Sequence, residues 1–222
     1  CEGTGEKRDR RRDRVAGAAA KRREEGLRNA RTPRGELMTK EFVSQCLSEV
    51  LGETPATILS ELGAPLEPLT LREPGSWYQE PHSGGLGWSF PAGLGYKLAK
   101  PERLVIAAMG DGSYIFANPV ACHQIAEAMA IPLLVLVLNN EEWGAVRQSV
   151  TGVYPQGYAA SSNEMPLVSL APTPDFTRVA EASRAWTARV ASHDELAGAL
   201  RAAIEQVTLH RRQALVEIRI AR

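Results

Sequence analysis

From Gly35 onward, apolar residues along this chain follow two alternating rhythms. Val43, Cys46, Leu47, Val50 and Leu51 recur at helical spacing, and "ATILSELG" then reads as a short strand. "ERLVIAAMG" is a second strand, "NPVACHQIAEAMAI" a helix and "IPLLVLVLNN" a third strand. Further on, "AWTARVA" gives another short strand. Ser192 and Glu195 form a capping box ahead of a helix with Leu196, Leu200, Ile204 and Val207 on one face. "QALVEIRIA" closes the chain as a strand. Strands alternating with amphipathic helices predict an α/β fold: a doubly wound, mostly parallel sheet with helices on both faces. Ligands of such sheets bind at the carboxyl ends of the strands. Three strand ends carry informative residues and are expected to converge: Glu61-Leu62-Gly63, Gly110-Asp111-Gly112 and Asn139-Asn140.

Charge divides the chain where the periodicity does. Formal net charge is zero over 222 residues, yet residues 1–34 hold 12 Lys/Arg against 6 Asp/Glu. This segment lacks interleaved aromatics and mixes acids among its bases, so it reads as a basic linker or connector remnant rather than a nucleic-acid arm. Residues 35–222 form the folded domain. The longest aliphatic stretch, Leu133 to Leu138, is too short to span a bilayer, and no signal peptide is visible. Cys1, Cys46 and Cys122 are widely spaced with no CxxC pair, which favours reduced thiols and a cytoplasmic location. Neither a membrane nor a nucleic acid is expected as partner.

The candidate chemistry begins at "VIAAMGDGSYIFANP", where Asp111 stands between two glycines at the end of an apolar run. The helix that follows such a strand offers free backbone N–H groups suited to a phosphate. A carboxylate aimed at the same place repels one, unless a hard divalent cation lies between them. The next strand ends as unusually, in two amides. The 26 residues between Gly112 and Asn139 hold one helix and one strand, a single βαβ unit whose two strand ends share a side of the sheet.

GDG and NN at this interval, with "EPGSWYQEPHSGGLGWSFPAGLGYKLAKPERLVIAAMGDGS" upstream, resemble the thiamine-diphosphate-dependent enzymes of the benzoylformate decarboxylase and acetolactate synthase group. The likeness covers roughly Gly35 to Arg222 and implies the thiamine-diphosphate-binding fold, with thiamine diphosphate and Mg²⁺ as cofactors. It implies that Asp111 gives Mg²⁺ a carboxylate oxygen, Asn140 an amide oxygen and Glu142 its backbone carbonyl. Gly110, Gly112 and Ser113 then face the diphosphate, and Asn139 ties the loop down. Leu86 in "HSGGLGWS" takes the place of the apolar wedge that bends the cofactor, beside Gly85, and the Gly84 carbonyl receives the amino group of the pyrimidine. Gly63 is implied nearby. Ala145 and Ser149 occupy the substrate-pocket positions, and His82 is a further substrate-side candidate. His123 and His193 receive no catalytic role, Cys122 reads as buried, and Trp143, Val146 and Val150 read as packing residues.

The same resemblance implies a 2-oxo acid substrate, decarboxylated or ligated to an acceptor, and a homo-oligomer in the complete enzyme. It also implies that no catalytic residue lies in this chain. The glutamate that activates the cofactor belongs to a separate pyrimidine-binding domain, and residues 1–34 are too few to contain one. The expectation is therefore the C-terminal half of such an enzyme, its first residue being Cys1 rather than Met. Two other readings stay open: a natural small subunit of a split decarboxylase, and a non-catalytic cofactor-binding scaffold.

Overall fold

The computed structural model describes residues 3–31, 36–83, 85–162, 165 and 167–222. In chain order the elements are α1 (Gly3–Arg31), α2 (Lys40–Leu51), β1 (Ala56–Glu61), β2 (Trp77–Gln79) and α3 (Ser89–Ala99). Then come β3 (Leu104–Gly110), α4 (Asp111–Phe116), α5 (Pro119–Ala128), β4 (Leu134–Asn139), α6 (Gly144–Val153) and α7 (Tyr158–Ser162). The last are α8 (Phe176–Glu181), β5 (Trp186–Val190), α9 (His193–Thr208) and β6 (Ala214–Arg219). The strands form one sheet in the order β2-β1-β3-β4-β6-β5, with every neighbouring pair parallel.

Strand residues divide by the two-residue period. Ile58, Ile106, Leu134, Leu136 and Val216 point to one face, where they pack with Val43 and Leu47 of α2 and Leu196 and Leu200 of α9. Leu59, Val105, Ala107, Val135 and Leu215 point to the other face, against Phe90, Cys122 and Phe176 of α3, α5 and α8. Burial on both sides explains why β3 and β4 read as continuous apolar runs. Each large aliphatic side chain so buried stabilises the fold by about 1.5–3 kcal/mol.

Register brings the expected strand ends together. Glu61 pairs with Met109, Gly110 with Leu138 and Asn139 with Arg219, so β1, β3, β4 and β6 finish level at one edge. Asn118, at φ 52, separates α4 from α5, and Pro119 starts the second helix where its missing N–H costs nothing.

The basic segment forms the helix α1, largely solvated and held near its end by Gly26, Ala30 and Arg23. Arg23 donates to the Leu69 carbonyl at 2.6 Å and to Thr70 Oγ1 at 2.9 Å. Strand β2 escapes the pattern because its three residues are all partly or fully exposed. Ser192 precedes α9 without making a side-chain cap bond, so the capping box does not form. Finally, the helix that begins after Trp143 buries none of its residues, and Val146 is 50% exposed, so α6 is not a packing helix.

His123 is held in a buried hydrogen-bond chain. It is fully buried, and its Nδ1 lies 2.8 Å from Gln213 Oε1. The Gln213 amide nitrogen donates to two carbonyls, those of His123 and Ser183, which fixes Oε1 as the acceptor. Nδ1 therefore carries the proton, and Nε2 accepts from the Tyr114 hydroxyl at 2.8 Å. Burial pushes the imidazole down from 6.5 to about 4. A depressed folded value gives stability that is complete above the unfolded value and is lost as pH falls through the folded one. Urea unfolding between pH 7 and pH 4 should lose on the order of 3 kcal/mol through this group. The profile should flatten in His123→Gln, and an unchanged profile would remove His123 from the acid response.

Candidate functional site

Glu61 ends β1 with a carboxylate that is 1% exposed, and it uses both oxygens. Oε1 accepts from Gly87 N at 2.6 Å and Oε2 from Ser89 N at 2.7 Å, while Ser89 Oγ donates to the Leu59 carbonyl at 2.7 Å. The loop before α3 is thereby tied to the sheet. Gly87 sits at φ +92, and a Cβ there would meet Ala117 N at 2.5 Å, so only glycine fits. The consequence is Leu86, held 43% exposed at the cavity mouth. Sequence reasoning noted this strand end but missed the anchoring role of Glu61. An acid closing a six-residue buried strand was the available signal.

Asp111 follows β3 and is 2% exposed. Its Oδ1 accepts from Gly112 N at 3.0 Å, whereas Oδ2 is buried without a hydrogen-bond partner among the described residues. Burial raises this carboxyl above its ordinary range, opposed by backbone N–H groups of Gly112, Glu141 and Glu142. A buried acceptor left open in this way suits a cation.

The end of β4 supplies the facing wall. Asn139 turns inward: Nδ2 donates to Glu217 Oε1 at 2.8 Å and Oδ1 accepts from Glu141 N at 2.9 Å. Glu141, at φ 58, pairs with Arg219 at 2.8 Å. Asn140 Oδ1 accepts from Glu142 N at 3.2 Å. The Glu142 carboxylate is committed to Arg147 at 2.6 Å, and its carbonyl accepts from Gly144 N at 2.8 Å. That carbonyl and the Asn140 oxygen each keep a second lone pair. No group of three His, Cys, Asp or Glu side chains converges among the described residues. A cation here would rest on a mixed set of one carboxylate with amide and carbonyl oxygens, a donor set typical of hard divalent ions.

A cavity of about 300 Å³ opens between these walls. Gly110, Asp111, Gly112, Ser113, Asn140, Glu142, Leu86 and Ala145 all line it, as do Lys40 and Trp143, which the sequence did not single out for the site. A Cβ on Gly112 would meet the Trp143 ring at 2.4 Å, so the indole lies directly on that backbone, edge-on to Phe116 at 5.6 Å. Gly85 and His82 border an adjacent cavity with Glu80 and Leu86. Gly63 borders a third; a Cβ there would meet the Ala108 carbonyl oxygen at 2.3 Å, so its need for glycine is close backbone packing. Ser149 is exposed and donates to the Ala145 carbonyl at 2.8 Å. Gly84 lies outside the described residues.

The family described as "Thiamine pyrophosphate enzyme, C-terminal TPP binding domain" matches residues 64–218. The chain is 34% identical to an acetolactate synthase large subunit of Haemophilus influenzae over 131 residues, 59% of this chain and 21% of that protein. It is 32% identical to a benzoylformate decarboxylase of Pseudomonas aeruginosa over 136 residues, 60% of this chain and 23% of that protein. Among solved structures it is similar to a thiamine diphosphate-dependent 4-hydroxybenzoylformate decarboxylase of Rhodococcus jostii RHA1. The TM-score is 0.68 with 26% identity, covering 86% of this chain and 34% of that one. The chain thus spans about a fifth of the length of the curated relatives it matches.

The geometry at Asp111 generates a prediction for the chain in chelator. A folded carboxyl value raised above the ordinary 3.8 gives stability that is complete below that value and is lost as pH rises through the folded one. At pH 7 Asp111→Asn should therefore be more stable than the parent, with the gap closing toward pH 4. Chemical denaturation at both pH values measures this, and a variant less stable at pH 7 would show that the carboxylate is already compensated.

Proposed function

The chain belongs to the thiamine pyrophosphate enzyme family through the C-terminal TPP-binding domain that fills most of its length, and from that premise we propose that its cavity holds thiamine diphosphate together with Mg²⁺. In this reading Asp111 Oδ2, the Asn140 side-chain oxygen and the Glu142 carbonyl hold the metal. Gly110, Gly112 and Ser113 would face the diphosphate, and Leu86 would support the ring end of the cofactor. The observation that carries it is the unpartnered, buried oxygen of Asp111 on a cavity wall at converging parallel strand ends.

When bound, the cofactor supplies an electron sink for the carbon that a 2-oxo acid leaves behind on losing CO₂. The chain's residues bind and orient: Glu61 fixes the Leu86 loop, Asn139 fixes the metal loop, and Trp143 shields the Gly112 backbone from water. Decarboxylation or carboligation of 2-oxo acids is the reaction class, in keeping with the kinds of relative found. The glutamate that activates the pyrimidine comes from a pyrimidine-binding domain outside residues 1–222, on the same protein or a partner subunit. Support comes from the small share of each relative that this chain spans. It comes also from apolar groups lining the cavity, with Leu86 43% and Val146 50% exposed, which a covering domain would bury. Ala145 lines the cavity, and Ser149, one turn on, is small and exposed.

Calorimetry tests the cofactor reading: thiamine diphosphate should bind with Mg²⁺ and lose most of its affinity in excess chelator, and equal binding in both overturns it. Incubated with cofactor, Mg²⁺ and a panel of 2-oxo acids, the chain alone should release no CO₂ at an enzymatic rate. Supplying a pyrimidine-binding domain from an acetolactate synthase-like relative should restore turnover. Sustained turnover by the chain alone, abolished by Asp111→Ala, would place the activating acid within it.

A further inference from the structure

The cavity carries a second uncompensated charge, and it is positive. Lys40 is the first residue of α2, and its backbone is well fixed. Thr39 caps the helix through Oγ1, which accepts from Phe42 N at 3.1 Å, and the Met38 carbonyl accepts from Ala221 N at 2.8 Å. The side chain is half-buried and runs along the edge of the sheet, lining both the Asp111 cavity and the neighbouring one at Gly63. Its ammonium donates to the Leu62 carbonyl, which uses one of three N–H groups. Among the described residues no carboxylate stands within ion-pair distance of it. Asp111, Glu41 and Glu80 act on it only through space, while burial lowers its pKa.

A half-buried lysine without a contacting counter-ion is costly to keep, and so is a buried carboxylate without one. Here both line a single cavity and form no direct ion pair with each other. The ligand that satisfies both at once carries a cation toward Asp111 and an anion toward Lys40. A metal-bound diphosphate does this, because a divalent cation shared with Asp111 leaves the diphosphate negative. The other cation on this wall, Arg222, is turned to the Asn140 carbonyl at 3.4 Å, on the metal side. Resting on the function proposed above, we infer that Lys40 is a cofactor-binding residue, its ammonium holding the diphosphate oxygens that face away from the metal.

Titration of the 222-residue chain with Mg²⁺ and inorganic pyrophosphate isolates this contact from the rest of the cofactor. Lys40→Met, which keeps the length of the apolar stem, should weaken binding roughly 10- to 100-fold, as expected for one charge-assisted hydrogen bond. Its ligand-free melting temperature should stay close to the parent's. Amine acetylation of the unsubstituted chain, read by mass spectrometry, gives a second measurement independent of how the variant folds. Mg²⁺ with pyrophosphate should protect Lys40 and leave the exposed Lys7 and Lys21 reactive. Equal affinity in Lys40→Met, or protection of Lys40 by pyruvate but not by pyrophosphate, overturns the assignment and leaves the cofactor reading standing. A parent chain that binds neither thiamine diphosphate nor pyrophosphate with Mg²⁺ removes both.

Discussion

Parallel pairing is the constraint on which the site rests. Strands that run the same way must all surrender their last residues at one edge, and β1, β3 and β4 are adjacent, with Glu61 opposite Met109 and Gly110 opposite Leu138. Whatever follows each strand is thereby delivered to its neighbours within a few ångströms, although the residues concerned are separated by dozens of positions in the chain. A one-residue slip in β3 would exchange its two faces, sending Ile106 where Val105 belongs and carrying Asp111 out of line with Asn140. The apolar runs on both faces make such a slip expensive, so hydrophobic burial sets the precision of the polar edge.

Fixed polar groups then convert that edge into a shape. Glu61 spends its whole carboxylate on two backbone N–H groups, so its buried charge is satisfied and the Leu86 loop is located relative to β1. Asn139 does the same at β4, and its partner Glu217 is in turn held by Arg189 at 2.9 Å, which also reaches Asp175 at 2.7 Å. These networks are closed. Asp111 and Lys40, by contrast, retain open hydrogen-bonding capacity among the described residues.

Much of this was legible in the sequence, for identifiable reasons. β3 and β4 are buried on both faces, so unbroken runs such as "LVIAAMG" announced them, and α9 carried a clear apolar stripe. Asp111 and the two asparagines stood out because polar residues rarely end buried strands. The rest was hidden where a side chain's role depends on tertiary approach. Lys40 looks like any helix-start lysine until its neighbours are placed. Gly63 was expected near the cofactor, and the Ala108 backbone beside it independently demands the absence of a Cβ. Trp143, Val146 and Val150 have helical spacing without being core, because periodicity reports an apolar face and not what covers it. The basic segment lacks an apolar stripe altogether, so its helix α1 left no periodic trace.

The seat of Trp143 has an optical consequence. The chain holds four tryptophans, and among the described residues Trp143 alone lines the Asp111 cavity. Its indole rests on the bare Cα of Gly112, with the Phe116 ring at its edge. The backbone atom beneath the ring is itself part of the cavity wall. A group arriving at Gly112 must tilt the ring or change the polarity at its rim, and either alters the emission colour and anisotropy of a single identifiable residue. The fold has therefore installed a native dye at the spot where occupancy would be decided, readable without any label being attached.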